Sequence, residues 1–327
     1  MDRRLERTAW VRTSLALGLA LSAFAAAPPA SATEPGAVFL ALPVDARAAA
    51  LGSNPALASP GLFGDPAGLG ALPGRRAMLS HGALGAGGTL DAVELSVPLG
   101  GSGPGRGGAA AARWGLGAGL LRHGAGTLGG RGADRSHTAA ASASDFAAGA
   151  GLGVAGLPGG LAAGVALKGI RGSIAAFGAA TWAVDAGLSG PWTIAGCPAG
   201  WSLALRNAGP GLKFLAQRDP LPTSAAAGVS FVAARGVMLS GAFERRLPDG
   251  RGRLNAGIEL APGAFLALRG SYAGTVAPGA DARRAFEPGV SGVAGGAGVR
   301  CGRLALNYAF APGAAGNSHL VNLAAQF

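Results

Sequence analysis

Residues 317–327 read NSHLVNLAAQF, and their alternation points to the fold. Counting back by twos from Phe327 gives Ala325, Leu323, Val321 and His319, while the positions between are Gln326, Ala324, Asn322, Leu320 and Ser318. One set is mostly apolar and the other mostly polar, with Leu320 the exception. Successive strand side chains point to opposite faces, so this is a strand with one apolar and one polar surface. Chain ends ordinarily fray. A strand here needs a partner, and the expectation is that it pairs with the first strand to close a barrel whose apolar face meets lipid.

The same period of two recurs upstream. GRLALNYAF (302–310) sets Leu304, Leu306, Tyr308 and Phe310 against Arg303, Ala305, Asn307 and Ala309. RLNAGIEL, AFLALRGSY, WSLALRN and GVMLSGAFERR behave alike. A soluble sandwich also alternates, showing its polar face to water. Here the polar faces carry charges in mid-strand, at Lys168, Arg206, Glu244, Glu259 and Arg269, as a wet lumen allows. From Arg75 onward the pattern gives strands near 75–83, 87–99, 113–123, 143–156, 161–174, 180–190, 200–208, 223–233, 236–246, 252–261, 264–274, 287–299, 302–311 and 318–327. That is an even number, fourteen, as in bacterial outer-membrane barrels. With both barrel ends periplasmic, the turns GLPGG, AARG, APG and RCG are short and periplasmic. The segments near 124–142, 209–222 and 275–286 are long and external. Residues 146–167 are uncharged and long enough to span a membrane as a helix, but Leu157-Pro158-Gly159-Gly160 breaks them into a hairpin.

Composition excludes other classes. The 327 residues include 60 Gly and only 13% charged side chains. Glycine at that density opposes a long-helix bundle, and no Gly-X-Y period indicates collagen. Arg3, Arg4, Arg7 and Arg12, the apolar run TSLALGLALSAFAAA and Ala30-Ser31-Ala32 form a secretory signal, with Thr33 expected as the mature start. The run is shorter than a spanning helix requires. Removing residues 1–32 takes four basic and two acidic residues, so the formal charge falls from +11 to +9. The expected location is the outer membrane of a Gram-negative cell.

The expected organisation is a signal peptide (1–32), an N-terminal helical segment (33–74) and a transmembrane barrel (75–327). In DARAAALG, Asp45 is placed to cap a short helix and Gly52 to stop it. DPAGLGAL opens a second helical turn at Asp65-Pro66. This apolar segment needs burial, and a charged lumen offers Asp45, Arg47 and Asp65 polar partners. It is expected to plug the periplasmic half of the barrel, with hinges at Gly52 and Gly68.

Catalytic and metal signals are weak. GLGVAG (151–156) fits G-x-G-x-x-G but lacks a βαβ context and is expected by chance among so many glycines. His81, His123, His137 and His319 have no metal-ligand spacing. His123 and His137 flank an outer loop with Asp134, which reads as a solvated loop rather than an active site. No enzyme, metal or cofactor is expected. Cys197 and Cys301 fall in turns six strands apart and are not expected to bridge. Arg131, Arg135, Arg171, Arg218, Arg251, Arg283 and Arg284 lie near outer loops, where they suit lipopolysaccharide phosphates or serve as a solvated surface. Nucleic acid is not an expected partner.

GAVFLALPVDARAAALG followed by DPAGLGAL resembles the N-terminal pattern of the PorV/PorQ family, a G-A-x-F-L…A-R-A-x-A-M-G run leading to N-P-A-G-L-A. SASDFAAGAGLG, LAAGVALKGI, LALRNAGPGLKF and DPLPTSAAAGVSF are similar to later landmarks of that family. The plug motif is Asp45, Ala46, Arg47, Gly52, Asp65, Pro66, Ala67, Gly68 and Leu69. The resemblance is strongest at Ala46, Arg47, Ala48, Ala50, Gly52 and Pro66 to Leu69, and at Asn207, Gly209, Pro210, Pro220, Leu221 and Pro222. Leu51 and Asp65 stand where the family has Met and Asn. The resemblance implies a fourteen-stranded barrel related to FadL-type fatty acid transporters, plugged by its N-terminal segment. It implies a channel for hydrophobic or small molecules or, as the alternative, a structural barrel of a secretion or envelope complex. It also implies an aromatic signal, at Phe327 with Tyr308 and Phe310, read by the barrel-assembly machinery.

Overall fold

The computed structural model describes residues 34–100, 112–131, 137–276, 292–313 and 316–327. Its strands are β1 (Arg76–Ala83), β2 (Thr89–Leu99), β3 (Arg113–Arg131), β4 (His137–Leu157), β5 (Leu161–Ile174), β6 (Phe177–Ile194), β7 (Cys197–Ala208), β8 (Leu212–Phe214), β9 (Gln217–Asp219), β10 (Ser224–Ala234), β11 (Val237–Arg246), β12 (Gly252–Leu260), β13 (Leu266–Val276), β14 (Gly292–Cys301), β15 (Leu304–Ala311) and β16 (Ser318–Gln326). Fourteen of them form a closed antiparallel barrel, and β8–β9 is a separate hairpin between β7 and β10. Closure runs through β16 and β1, from Arg76 opposite Gln326 to Ala83 opposite His319. This leaves no open sheet edge, as a lipid environment demands. Every strand pair of the barrel is consecutive once the hairpin is set aside, so the topology is a simple up-and-down meander.

The expected strand count and the fourteen approximate positions agree with the structure; several boundaries do not. Strands β3, β4 and β6 run well beyond the spans read from the sequence, to Arg131, from His137 and over Phe177–Ile194. Alternation fades at the β3 and β4 ends because both faces there are mostly glycine, alanine and serine, which carry little hydropathy contrast, and the β6 end holds Pro191, which reads as a break. Residues 209–222 do not form an irregular loop but hold the β8–β9 hairpin. Among the described residues no helix is long and apolar enough to cross a membrane. The uncharged stretch 146–167 is the β4–β5 hairpin, turning at Pro158–Gly160.

Outward residues are the apolar ones. Leu79, Leu95, Leu116, Leu120, Leu167, Leu254, Leu268 and Leu306 are all 40–57% exposed on the outer wall. Inward positions are small, polar or charged. Leu320, the exception in the closing strand, faces inward and is buried against Ala46, Ala50 and Ala309. It breaks the alternation because its neighbour inside the barrel is apolar protein rather than water.

Residues 34–74 occupy the barrel interior. At one mouth, the Gly36 N–H donates to the Pro220 carbonyl at 2.9 Å, beside the β8–β9 hairpin. At the other mouth Gly74 lies against the carbonyl of Phe327. Between them come the helix Ala46–Ala50 and the 3₁₀ turns Val38–Ala41, Pro55–Leu57 and Ala67–Ala71. The expected placement in the periplasmic half alone is therefore corrected: the segment threads the whole barrel from mouth to mouth. Its first residues are apolar and find apolar wall at the far mouth, which the sequence pattern could not assign to a height.

Candidate functional site: the occupied lumen

Three surfaces of the inner wall receive the segment, and each has its own chemistry. The first is glycine. Every second residue of β3 and β4 in mid-strand is a glycine facing inward: Gly115, Gly117 and Gly119, then Gly149, Gly151 and Gly153. A Cβ at Gly117 would sit 2.8 Å from Leu69 Cδ2, one at Gly151 3.3 Å from Leu69 Cδ1, and one at Gly119 3.1 Å from Phe63. At Gly115, Gly153 and Gly164 a Cβ would strike the backbone carbonyls of Leu69 and Pro66. Leu69 is fully buried there. Removing such a side chain from water contributes about 1.5–3 kcal/mol. The turn Ala67–Ala71 thus lies on bare backbone, which only glycine permits at this separation.

The second surface is apolar. Near the mouth opposite the barrel termini, Phe39, Val44 and Leu221 pack with Met78, Leu90, Leu121 and Ile170 from the wall, with Leu40, Leu42, Phe63 and Leu84 around them. Phe39 stacks on His123 at a centroid distance of 6.0 Å, and His123 Nδ1 lies 3.2 Å from Asp145 Oδ2. The hairpin closes over this region: Leu212 is buried and Phe214 approaches Gly172. A water-filled lumen would be polar here. This one is a hydrophobic core inside a barrel.

The third surface is charged. Arg47 makes a two-pronged contact with Glu259, Nε at 2.8 Å and Nη2 at 3.1 Å. Arg269 Nε reaches the same carboxylate at 2.6 Å, and its Nη1 donates to Asn307 at 2.9 Å. One carboxylate therefore joins the helix Ala46–Ala50 to the wall. The helix is capped as expected, with Asp45 accepting from the Arg47 N–H at 3.0 Å. Ser59 donates to the other Asp45 oxygen. Asn322 accepts from the Ala46 N–H at 3.0 Å, and Asn255 donates to the Gly52 carbonyl at 2.8 Å. Gly52 turns the chain at φ +75°, a conformation that excludes most residues, with Asn255 Cβ 3.0 Å from where a Cβ would stand. Beside this surface a cleft of about 580 Å³ opens toward the termini, lined among others by Arg47, Arg76, Glu259, Arg269, Arg300 and Arg303.

Every mid-strand charge marked in the sequence faces the lumen. Lys168 donates to Asp185 at 2.8 Å and to Asn207 at 2.6 Å. Glu244 receives Arg253 at 2.7 Å and Ser224 at 2.7 Å. Arg206 lies by the same interior groups, and its charge acts on Asp65, Lys168 and Glu244. Asp65 accepts from the Ala67 N–H at 2.9 Å at the start of its turn. Burial pushes its carboxyl above the usual range; the Ala67 N–H, Arg206 and the Gly68 N–H act against that rise without cancelling it. Pro66, Ala67 and Gly68 complete the turn, where Gly68 packs on Pro60. At the far mouth, burial alone would push Asp249 up, but Arg246, and then Arg251, hold it below its ordinary value.

Other marked residues lie elsewhere. Tyr308 points outward from β15, with its hydroxyl 2.8 Å from His319 Nδ1, and Phe310 packs on the same imidazole at 5.2 Å. Phe327 is exposed, and its N–H donates to the Arg75 carbonyl at 2.9 Å. Cys197 and Cys301 are free thiols. Asp134, Arg135, Arg283, Arg284 and the side chains of Arg131 and His137 lie outside the described residues. Arg251 pairs with Asp249 and Glu34, Arg218 sits on the β8–β9 hairpin, and Arg171 faces outward from β5.

Sequence reasoning missed four contributors, Glu94, Asn54, Asp185 and the glycine rows, and it marked Asn207 only as a position of the family resemblance. Buried Glu94 accepts from the Phe63 N–H at 2.7 Å, and Asn54 donates to the carbonyls of Val229 and Gly241 at 3.2 and 3.0 Å. Asn207 adopts φ 56° where the β6–β7 register shifts, and its N–H reaches Asp185 at 2.7 Å. A signal for the glycine rows existed, since GLGAG and GAGLG repeat glycine at the strand period. GLGVAG belongs to that row and not to a nucleotide loop.

The fold is a closed fourteen-stranded antiparallel β-barrel whose lumen is filled by the N-terminal segment. No family model matches the chain, and no curated protein matches its sequence. Among solved structures, it is similar to the toluene transporter TbuX of Ralstonia pickettii, with TM-score 0.54 and 11% identity over 81% of this chain and 93% of that one. It is also similar to the toluene transporter TodX of Pseudomonas putida, with TM-score 0.53 and 12% identity over 85% and 95%. At such identities the likeness is one of fold.

Proposed function

We propose that this chain is a non-enzymatic, plugged channel of the outer membrane for small hydrophobic molecules. The observation that carries this reading is the apolar cluster at the mouth opposite the termini, where Phe39, Leu40 and Leu42 fill wall formed by Leu90, Leu121 and Ile170. A wall of that composition accepts an apolar guest of similar size when those side chains move aside. The cleft at the other mouth gives a released molecule a way onward, and the fold shared with two toluene transporters fits this use. The PorV/PorQ resemblance enters through the residues that seat the segment, Asp45 to Gly52 and Asp65 to Leu69. The alternative role in a secretion or envelope complex draws on that resemblance alone.

The test deletes residues 36–72 and records planar-bilayer conductance. A rise in conductance supports a plugged pore. Unchanged conductance in a stably folded barrel overturns both the plug and the transport reading. Export through a signal at 1–32 belongs to the same proposal, and mass spectrometry of membrane-extracted protein should find Thr33 first.

A further inference from the structure

On the outer wall, away from the lumen, Arg122 of β3, Phe146 of β4 and Arg171 of β5 are consecutive cross-strand partners. All three are exposed and face outward. Two strand spacings of about 4.8 Å separate the arginines, so their stems stand about 10 Å apart with the phenylalanine between them. In the next row toward the mouth, Gly124, Ser144 and Ser173 are partners in turn. The two hydroxyls there meet at 2.9 Å. Gly124 has no side chain, and the Thr89 hydroxyl lies 3.1 Å from where its Cβ would stand, adding a third hydroxyl to this row. On the other side of the row lie Leu120, Leu116, Leu167 and Val165, the apolar belt of the same strands.

Two guanidinium groups thus stand where the apolar belt ends, at the mouth away from the barrel termini. Asp91 is the acid in the same row, opposite Arg122, and its carboxylate is taken by His81 at 2.7 Å. Among the described residues no ion pair is formed by Arg122 or Arg171. Exposed cations at the edge of hydrocarbon favour an anion that is itself anchored in lipid. Planar guanidinium matches phosphate oxygens in paired hydrogen bonds. The neighbouring hydroxyls suit a sugar, while Phe146 and the leucines suit acyl chains.

We propose that this face of β3–β5 binds a phosphorylated glycolipid of the outer leaflet, with Arg122 and Arg171 holding a phosphate across Phe146. The site is separate from the lumen and does not depend on the transport reading. It does require that the mouth opposite the termini faces outward.

The test titrates the purified full chain in detergent with diphosphoryl lipid A, its dephosphorylated form and phosphatidylglycerol, and reads bound lipid by native mass spectrometry. Wild type should bind diphosphoryl lipid A at least tenfold more tightly than does the Arg122→Gln/Arg171→Gln variant, and at least tenfold more tightly than it binds the other two lipids. Arg113→Gln/Arg235→Gln, the same charge change at the other mouth, should leave binding as in wild type. A heat-modifiable band for each variant establishes that the barrel is folded. Equal binding by the double variant overturns the site. Equal binding of phosphatidylglycerol overturns the choice of glycolipid, and loss with Arg113→Gln/Arg235→Gln reduces the effect to net charge and overturns the site as well.

Discussion

The two halves of the inner wall hold one segment by opposite means. Along β3–β6 the wall in mid-strand is glycine and alanine, and residues 66–70 lie directly on it. Along β11–β16 the wall is arginine, glutamate and asparagine, and it holds residues 45–55 through directed hydrogen bonds while leaving a cleft of about 580 Å³. Close packing tolerates no added atom, because interiors are already near crystal density. Charge pairing tolerates distance and water but not the loss of a partner. The glycine half therefore acts as a seat fixed by shape. The charged half acts as a latch fixed by one carboxylate, Glu259, and it borders the cleft that opens toward the termini.

Substitutions can break or sharpen this contrast, and the largest effect lies on the face both halves share. Leu306→Arg on the outer wall should cost about 2–4 kcal/mol near the bilayer midplane. Its neighbour Asn307 faces the lumen, and Asn307→Ala should cost far less; lipid-vesicle refolding in urea measures both. Equal costs would mean that the two faces of β15 are assigned wrongly.

Next in size is Glu259→Gln. Losing a charged hydrogen-bond partner costs about 1.5–3 kcal/mol, and here it leaves Arg47 and Arg269 facing each other. Limited proteolysis should show residues 45–57 opening first, with a rise in conductance. Protection unchanged from wild type would remove the latch.

Gly153→Val tests the seat. Overpacking costs about 1–3 kcal/mol, and the new side chain meets the carbonyl of Pro66 and, at 2.9 Å, Leu69 Cβ. Cleavage should then appear in residues 61–71 while 45–57 stay protected. If both stretches open together in both variants, the segment is one cooperative unit and the contrast between the halves fails.

The smallest effect concerns pH. The Asp65 carboxyl is raised by burial, so folded protein holds its proton more strongly than the unfolded chain does. Stability from this group is fully present below the unfolded value of 3.8 and is lost as pH rises through the folded value. Asp65→Asn keeps the acceptor for the Ala67 N–H and removes the charge. It should flatten the pH dependence of protection of residues 61–71 above 3.8. Asp249 works in the opposite sense, since its lowered carboxyl contributes above 3.8 and fails as pH falls through its folded value. An Asp65→Asn profile parallel to wild type would show that burial does not strain this carboxylate.

Alternation determined the strands, and charges in mid-strand on the polar faces set a wet lumen apart from a soluble sandwich. Leu304, Leu306 and Tyr308 opposite Ala305, Asn307 and Ala309 can only mean a strand between two environments, and the period fixes which side chain meets which. The same rule marked Lys168, Arg206, Glu244, Glu259 and Arg269 as inward, while Asp45 was legible as a cap from helix chemistry that is decided within four residues. Tertiary structure decided what those groups touch. Glu259 and Arg47 are 212 positions apart. Nothing local distinguishes a lumen charge that faces water from one that latches a helix. The glycine rows show the same limit, because hydropathy registers a glycine as weak signal, and its meaning comes from the chain that lies on it. Phe39, Leu69 and Leu320 read only as apolar. Whether such a residue meets lipid, wall or the threaded segment depends on closure of a sheet whose first and last strands, β1 and β16, are joined only in space.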